Sequence, residues 1–282
     1  MSSMNRSGAR RATRWPGRAM RRRLTTTAVI TNYNYGRYLR RAVASVLGQS
    51  APADRIVVID DGSVDDSRQI LSEMPREVEV ILQENQGIIA SRNRAIDMCR
   101  TSHITFLDAD DVMGRRFLEL TRCAWSLPHS DRLALAYTAV RLRGPNGTRV
   151  MTSAPWSQKM LGRQNYIVNT SLFQLEALKD IGGYSPRFES LGFEDWDLML
   201  KLAESGWRGR FVPLCLVSYF PRPEGRNYSS IRKNGDAVTR ALLEEHPWAS
   251  PGPQGRAYRL GQLLVNAPRA VADRAARLAY DR

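Results

Sequence analysis

Ile104-Thr105-Phe106-Leu107-Asp108-Ala109-Asp110-Asp111 is a short apolar run that ends abruptly in three carboxylates within four residues. A run of this length suits a buried strand of a parallel sheet, both faces of which are covered. Ligands of open α/β sheets bind at the carboxyl ends of such strands, so this one carries acid to a binding edge. Carboxylates this close repel one another unless a cation stands among them, and hard oxygen ligands favour Mg2+ or Mn2+ over zinc. Taken alone, the same residues also fit a solvated acidic turn capping the next helix.

Two earlier segments end in the same manner. Thr25–Thr31 is β-branched and apolar and runs into the turn-forming Asn32-Tyr33-Asn34-Tyr35-Gly36, and Arg55–Ile59 runs into Asp60-Asp61-Gly62-Ser63. Between them Leu39, Val43, Val46 and Leu47 recur at helical spacing with Arg37, Arg40 and Arg41 opposite, which predicts an amphipathic helix ending near Gly48. Asp65 and Asp66 open a helix closed by Pro75, Val78–Leu82 alternates as a third strand, and Ile88–Cys99, containing Ser91-Arg92-Asn93, reads as helix. The order β-α-β-α-β-α-β with short loops predicts an α/β fold with a doubly wound, mainly parallel sheet. The loops after residues 31, 59 and 107 then meet at one edge.

Beyond a helix at Gly114–Trp125 the pattern changes. Leu133–Arg143 is extended, Gly144-Pro145-Asn146-Gly147 is a strong turn, and Thr148–Thr152 returns as a hairpin partner. Residues 153–165 read as irregular loop, Ile167–Phe173 as extended, Leu175–Ile181 as helix and Gly182-Gly183-Tyr184 as a turn. Glu194-Asp195-Trp196-Asp197 precedes Leu198, Leu200, Leu202 and Ala203, placing acids at a helix N-terminus, where the helix dipole alone also favours them. Arg210–Leu214 is a late strand, Pro221–Asn227 a basic loop and Asp236–Glu245 a last core helix.

The formal charge is +14, and its position matters more than its size. Residues 1–23 hold eight arginines and no acid, and residues 251–282 hold six arginines against Asp273 and Asp281, which leaves +2 for residues 24–250. Charge confined to the ends speaks for contact with an anionic surface such as a membrane, or for a solubilising arm, rather than for the chemistry of the core. A nucleic-acid binder would carry its basic residues on the folded body, where this chain places paired carboxylates, so nucleic acid is not the expected partner. No apolar run reaches the length of a membrane span, and no secretory signal is evident. Cys99, Cys123 and Cys215 lack metal-binding spacing and read as reduced core thiols of a cytoplasmic protein.

Together Thr31-Asn32-Tyr33-Asn34, Ile59-Asp60-Asp61-Gly62-Ser63, Asp108-Ala109-Asp110-Asp111 and Phe193-Glu194-Asp195-Trp196-Asp197-Leu198, in this order and at these strand ends, resemble the family 2 glycosyltransferases, inverting enzymes of the GT-A fold. The likeness covers about residues 25–220, and the segments Gly87–Asn93 and Leu172–Tyr184 are similar to the family as well. It implies a nucleotide-sugar-binding half over residues 24–125 and an acceptor-binding half over 126–250 of one GT-A domain, flanked by a basic N-terminal arm (1–23) and a basic C-terminal tail (251–282). The resemblance further implies a nucleoside-diphosphate-sugar donor, a glycan or lipid-linked acceptor, and Mn2+ or Mg2+ held by Asp110 with Asp108. On the donor side it points to Thr31, Tyr33, Asp60, Asp61, Arg92 and Asp108, with Asp61 also fitting a turn-forming Asp-Gly. On the acceptor side it makes Asp195 the base that takes the acceptor proton, with Glu194 beside it, while Asp111 also fits a cap of the next helix and Asp197, one turn into its helix, a bond to backbone or a basic neighbour. Placement at the inner face of a membrane, through the basic ends, would suit such an enzyme.

One departure stands out. The family's late histidine has no counterpart in Tyr219–Ser229, where Arg222 and Arg226 are the basic residues, and His103, His129 and His246 lie elsewhere. A nucleotidyltransferase would need a Gly-rich phosphate loop after the first strand, which Thr31–Gly36 does not supply. A non-catalytic protein that binds a nucleotide-sugar or an anionic surface is the other alternative.

Overall fold

The computed structural model describes residues 24–128, 132–144, 147–151, 153–221 and 226–250, with the backbone alone over 226–235. The basic arm and tail, His129, the Pro145-Asn146 turn centre, Thr152 and Arg222 lie outside the described residues, as does the side chain of Arg226.

Strands without a polar face can only be stable when covered on both sides, and the first half of the chain is built that way. Strand β1 (Thr26–Asn32) is buried at every residue, and it leads through helix α1 (Gly36–Leu47), strand β2 (Arg55–Asp61), α2 (Ser67–Ser72), β3 (Val78–Gln83) and α3 (Ile88–Met98) to β4 (His103–Asp108). Strand β1 pairs in parallel with β2 and with β4, and β2 in parallel with β3. On one face Leu39, Val43 and Val46 of α1 cover Ala28, Ile30 and Val58. On the other, Ile89 and Ile96 of α3 cover Val29, Val57 and Phe106. Each such aliphatic or aromatic side chain contributes about 1.5–3 kcal/mol on full burial.

The second half continues the sheet in mixed sense. After a two-residue strand β5 (Val112–Met113) come α4 (Phe117–Ser126), β6 (Leu133–Gly144), β7 (Gly147–Met151), α5 (Gln158–Leu161), β8 (Leu172–Gln174), α6 (Leu175–Asp180), α7 (Glu194–Glu204), β9 (Arg208–Tyr219) and α8 (Arg226–Glu245). The sheet runs β3-β2-β1-β4-β8-β6-β9-β5, with β7 on β6. Strand β8 is antiparallel to both β4 and β6. Helix α7 sends Trp196, Leu198 and Leu202 into the same core layer as α3, so both helices lie on one face.

Several boundaries differ from expectation, each for a local reason. Helix α4 starts at Phe117 rather than Gly114 because Val112 and Met113 pair with Ser218 and Val217 of β9. Strand β9 runs through Pro213, which falls in a register break between Val212 and Cys215 where no ladder N–H is needed. Residues 167–171 turn rather than extend, with Ser171 N–H donating to the Asn169 carbonyl at 2.7 Å, and only Leu172–Gln174 joins the sheet. Helix α8 begins at Arg226, within the expected loop and well before Asp236. Cys99 is buried and Cys215 partly so, but Cys123 is exposed on α4 and is not a core thiol. Among the described residues no helix is long and apolar enough to cross a membrane.

Candidate active site

The parallel register sets Thr31 opposite Asp108 and Asn32 opposite Asp60, so β1, β2 and β4 end level at one edge. There Asn32 Nδ2 donates to Asp60 Oδ1 at 2.7 Å, to Ser67 Oγ at 2.9 Å and to Ser63 Oγ at 3.1 Å. Ser63 returns its hydroxyl to Asp60 Oδ1 at 2.5 Å and its N–H to Oδ2 at 3.1 Å. Asp60, expected on the donor side, has no exposed surface, and its carboxylate shapes the loop. Beside this rigid turn Tyr33 stands 45% exposed, an aromatic face open at the strand edge.

Asp61 is also bound inward. Oδ1 accepts from Gln83 Nε2 at 2.6 Å and from Gln86 N–H at 2.9 Å, and Oδ2 from Gly87 N–H at 2.8 Å. The next two amides, Ile88 and Ile89, donate to the two oxygens of Glu189 at 3.1 and 2.8 Å. The N-terminus of α3, which would otherwise attract an anionic ligand, is thus filled by two of the chain's own carboxylates. A side chain at Gly87 could not enter: its φ is +94° and a Cβ would lie 2.4 Å from Glu189 Cδ.

Arg92, on α3, is the hub of the edge. It is 1% exposed, and its Nη2 reaches Asp108 Oδ1 while Nη1 reaches Glu194 Oε1, both at 2.8 Å. Thr31 Oγ1 adds a longer bond of 3.3 Å to the same Asp108 oxygen. Asn169, with its amide oxygen turned to the guanidinium, accepts from Nη2 and Nε at 3.2 Å, the reverse orientation being excluded because it would point amide hydrogens at guanidinium hydrogens. The guanidinium centre lies 5.5 Å from the Tyr184 ring, and Asn93 fixes Tyr184 by bonding both its N–H and its carbonyl, at 2.8 and 2.9 Å. Burial opposes the Arg92 charge, but Asp108 and Glu194 outweigh it and hold the guanidinium protonated, while burial raises the Tyr184 hydroxyl. Arg92, expected on the donor side, is a buried bridge between the strand-end acid Asp108 and Glu194 of α7.

Those α7 acids are presented by an unusual turn. Gly192 (φ +78°) and Phe193 (φ +64°) are both left-handed, a conformation that costs a bulky residue about 1–3 kcal/mol and is kept where the surroundings enforce it. Asp195 Oδ1 accepts from its neighbour Trp196 N–H at 2.8 Å and from Asn165 Nδ2 at 3.1 Å. Burial, then the adjacent Glu194 charge, pushes the Asp195 carboxyl up to about 7, while Asn165 and Arg92 pull the other way. A carboxyl poised there suits a proton acceptor near neutrality. Asp197 points inward instead, 1% exposed and 3.0 Å from His246 Nε2, whose Nδ1 lies 2.8 Å from Glu204. That pairing accounts for Asp197 by a basic neighbour on the segment after α8.

The donor set for a cation is sparse. Among the described residues no group of three or more His, Cys, Asp or Glu is placed to hold a metal ion. Asp110 follows the end of β4, its carbonyl accepting from Arg41 Nη2 at 2.8 Å, and Asp108 is 37% exposed at its side chain though tied to Arg92. Asp111 is buried and accepts from Phe220 N–H at 3.3 Å, joining this turn to the end of β9. One or two carboxylates fit Mg2+ or Mn2+ when substrate phosphates and water complete the shell.

Asn165, Glu189, Asn169 and His246 escaped the sequence reading. Each acts across a long stretch of chain and carries no local pattern, although the Pro- and Gly-containing loop around Asn165 was visible as irregular.

Residues 27–122 match the family described as Glycosyl transferase family 2. Hyaluronan synthase of Pasteurella multocida is 28% identical over 213 residues, which cover 73% of this chain and 21% of that protein. The putative teichuronic acid biosynthesis glycosyltransferase TuaG of Bacillus subtilis is 33% identical over 126 residues, 43% of this chain and 49% of the relative. An uncharacterized glycosyltransferase of Nostoc sp. is 41% identical over 90 residues, 30% of this chain and 28% of its own length. The chain thus spans from about a fifth to about a half of these curated relatives. Among solved structures, S. aureus TarS 1–349 in complex with UDP-GlcNAc superposes with a TM-score of 0.63 at 18% identity, over 79% of this chain and 66% of that one. The shared architecture is the GT-A fold, an α/β domain with a mixed, mostly parallel sheet. Over residues 27–122, the stretch that carries the level strand ends and Arg92, the chain is matched by glycosyl transferase family 2.

Proposed function

We propose that this chain transfers a sugar, with inversion, from a nucleoside-diphosphate sugar to an acceptor hydroxyl of a glycan or lipid-linked glycan in cell-envelope or polysaccharide biosynthesis. The observation that supports the reading is Arg92, which ties the strand-end Asp108 to the Glu194-Asp195 turn, so that both groups of acids lie on one edge. The UDP-GlcNAc complex of TarS favours a UDP-linked donor, and the names of the hyaluronan and teichuronic acid relatives favour a polymer acceptor.

In this reading Tyr33 packs against the base, with Thr31 beside it, and Asp108 faces the ribose or donor sugar. Asp60 and Asp61 act through the loops they brace. Asp110, with Asp108 second, would hold Mn2+ or Mg2+ under the diphosphate, where the cation screens the leaving group's charge. The acceptor oxygen bonds to sugar C1 as the bond from C1 to the phosphate oxygen breaks, and that electron pair leaves on the nucleoside diphosphate. The acceptor proton passes to Asp195, whose Oδ1 is held and whose Oδ2 faces no donor among the described residues. One displacement needs one base, and the attack comes from the face opposite the leaving group. Work at the cytoplasmic face of a membrane, through the basic ends, belongs to the same proposal.

The test is a panel of UDP-sugars with Mn2+, read by thermal shift and by UDP release. Stabilisation and turnover by one donor are expected. No shift with any nucleotide-sugar would refute the reading.

A further inference from the structure

Asn165 lies in the loop between α5 and β8, yet that loop is fixed from two sides at this point. Trp196, the residue after Asp195, donates its indole N–H to the Leu161 carbonyl at 2.7 Å and is fully buried. Tyr166, the residue after Asn165, is buried as well; its carbonyl accepts from Ser153 Oγ at 2.5 Å and its hydroxyl from Ser157 N–H at 2.9 Å. Its ring stands edge-on to Tyr137 at 6.4 Å. Between these anchors Asn165 Nδ2 meets Asp195 Oδ1 at 3.1 Å, while Asn165 Oδ1 is buried with no donor among the described residues. A buried acceptor left without a donor costs stability, so the amide is poorly suited as a mere loop brace, and what it gains is the bond to Asp195.

We infer that Asn165 is a positioning residue for the acceptor-side base: it pins Oδ1 of Asp195 and leaves Oδ2 as the oxygen that takes the acceptor proton. The inference rests on Asp195 being the base. The charged and titratable groups facing Asp195 are Glu194 on the same turn, Arg92 from α3 and Tyr184 from the turn after α6. Glu194 favours the protonated form of Asp195. Arg92 opposes it but is already shared between Asp108 and Glu194, so the neutral donors at Asp195 itself, the Asn165 amide and the Trp196 N–H, offset the Glu194 charge, and of the two Asn165 is the side-chain donor.

The experiment is a titration of the side-chain carboxyl of Asp195 by 13C NMR in the full chain without donor, the resonance assigned by its loss in Asp195→Asn. Asn165→Ala is expected to move the midpoint upward by about half a unit to one unit. Asn165→Asp, which replaces the donor by a second carboxyl, moves it further. Because the substitution to alanine also removes the orphaned Oδ1, its melting temperature stays close to that of the parent. UDP release from the best UDP-sugar of the panel falls in kcat with little change in donor KM, and its acid limb moves up with the carboxyl. An unmoved midpoint in a folded Asn165→Ala protein overturns the inference, as does a large fall in melting temperature with an unmoved midpoint. If Asp195→Asn retains full turnover, the base assignment itself has failed; if it is inactive while the Asn165 variants titrate like the parent, only the role of Asn165 has failed.

Discussion

Arg92 Nη1 donates to Glu194 Oε1 at 2.8 Å, joining two residues 102 positions apart in the chain and tying α3 to the α7 turn. Removing one partner of a buried ion pair leaves an uncompensated charge, at a cost of about 3–5 kcal/mol. Arg92→Ala is therefore expected to lower unfolding stability by about that amount, read from urea midpoints at constant m-value. Arg92→Lys keeps the charge but reaches only one of the two carboxylates, so it should fall between. A surface-like loss below about 0.5 kcal/mol for Arg92→Ala would contradict the bridging role.

Asp195 has a folded carboxyl held above its ordinary value of 3.8, so the sign of its effect on stability is fixed. The stability it contributes is present below the unfolded value and is lost as pH rises through about 7, where the half-buried group must ionise. Asp195→Asn should consequently melt higher than the parent at pH 8 and nearly level with it at pH 4, while its UDP release is lost and its donor affinity kept. Loss of donor affinity in this variant would place Asp195 on the donor side instead.

The two described histidines pull pH stability in opposite directions. His103 is buried against Trp125, its Nε2 lacking a partner among the described residues, and burial lowers it from 6.5 to about 4, helped by the Arg122 charge. The depressed value means its contribution is present above 6.5 and lost as pH falls toward 4, by roughly 3 kcal/mol at the limit. At His246 burial opposes the charge, but Asp197 and Glu204 outweigh it and raise the group above 6.5, so its contribution is complete below that value and fades as pH rises beyond it. Chemical denaturation across pH 4–9 should show the gap between parent and His246→Gln closing on the alkaline side. His103→Phe should flatten the acid side.

The α/β order and the level strand ends were legible because apolar runs, turn residues and strand-end acids are local signals. Asp108, Asp110 and Asp195 were singled out by the same local signals, as acids at a strand end or a helix start. What the sequence hid is partnership. Asp60 and Asp61 look like ligand contacts in a string of letters, yet Asn32, Ser63, Gln83, Gln86 and Gly87 claim their oxygens. Glu189 caps a helix about a hundred residues upstream, and His246 neutralises an acid on α7, pairings set by packing and not by spacing. The expected late strand stopped at Leu214, whereas β9 runs on to Tyr219 past a register break that is a property of the partner strand as much as of Pro213.

The sparse carboxylate set makes metal binding dependent on the donor. With Asp110 and Asp108 as the strand-end oxygens and no group of three acids, histidines or cysteines among the described residues, Mn2+ alone should shift the melting temperature little. Mn2+ and the cognate UDP-sugar together should shift it by more than the sum of each alone, since phosphate oxygens complete the coordination shell. In Asp110→Ala that excess should vanish while the metal-free shift from the donor persists, which separates loss of the cation from loss of the nucleotide. A strong shift with Mn2+ alone would instead mean a resident metal site, and an excess that survives in Asp110→Ala would move the cation to other ligands.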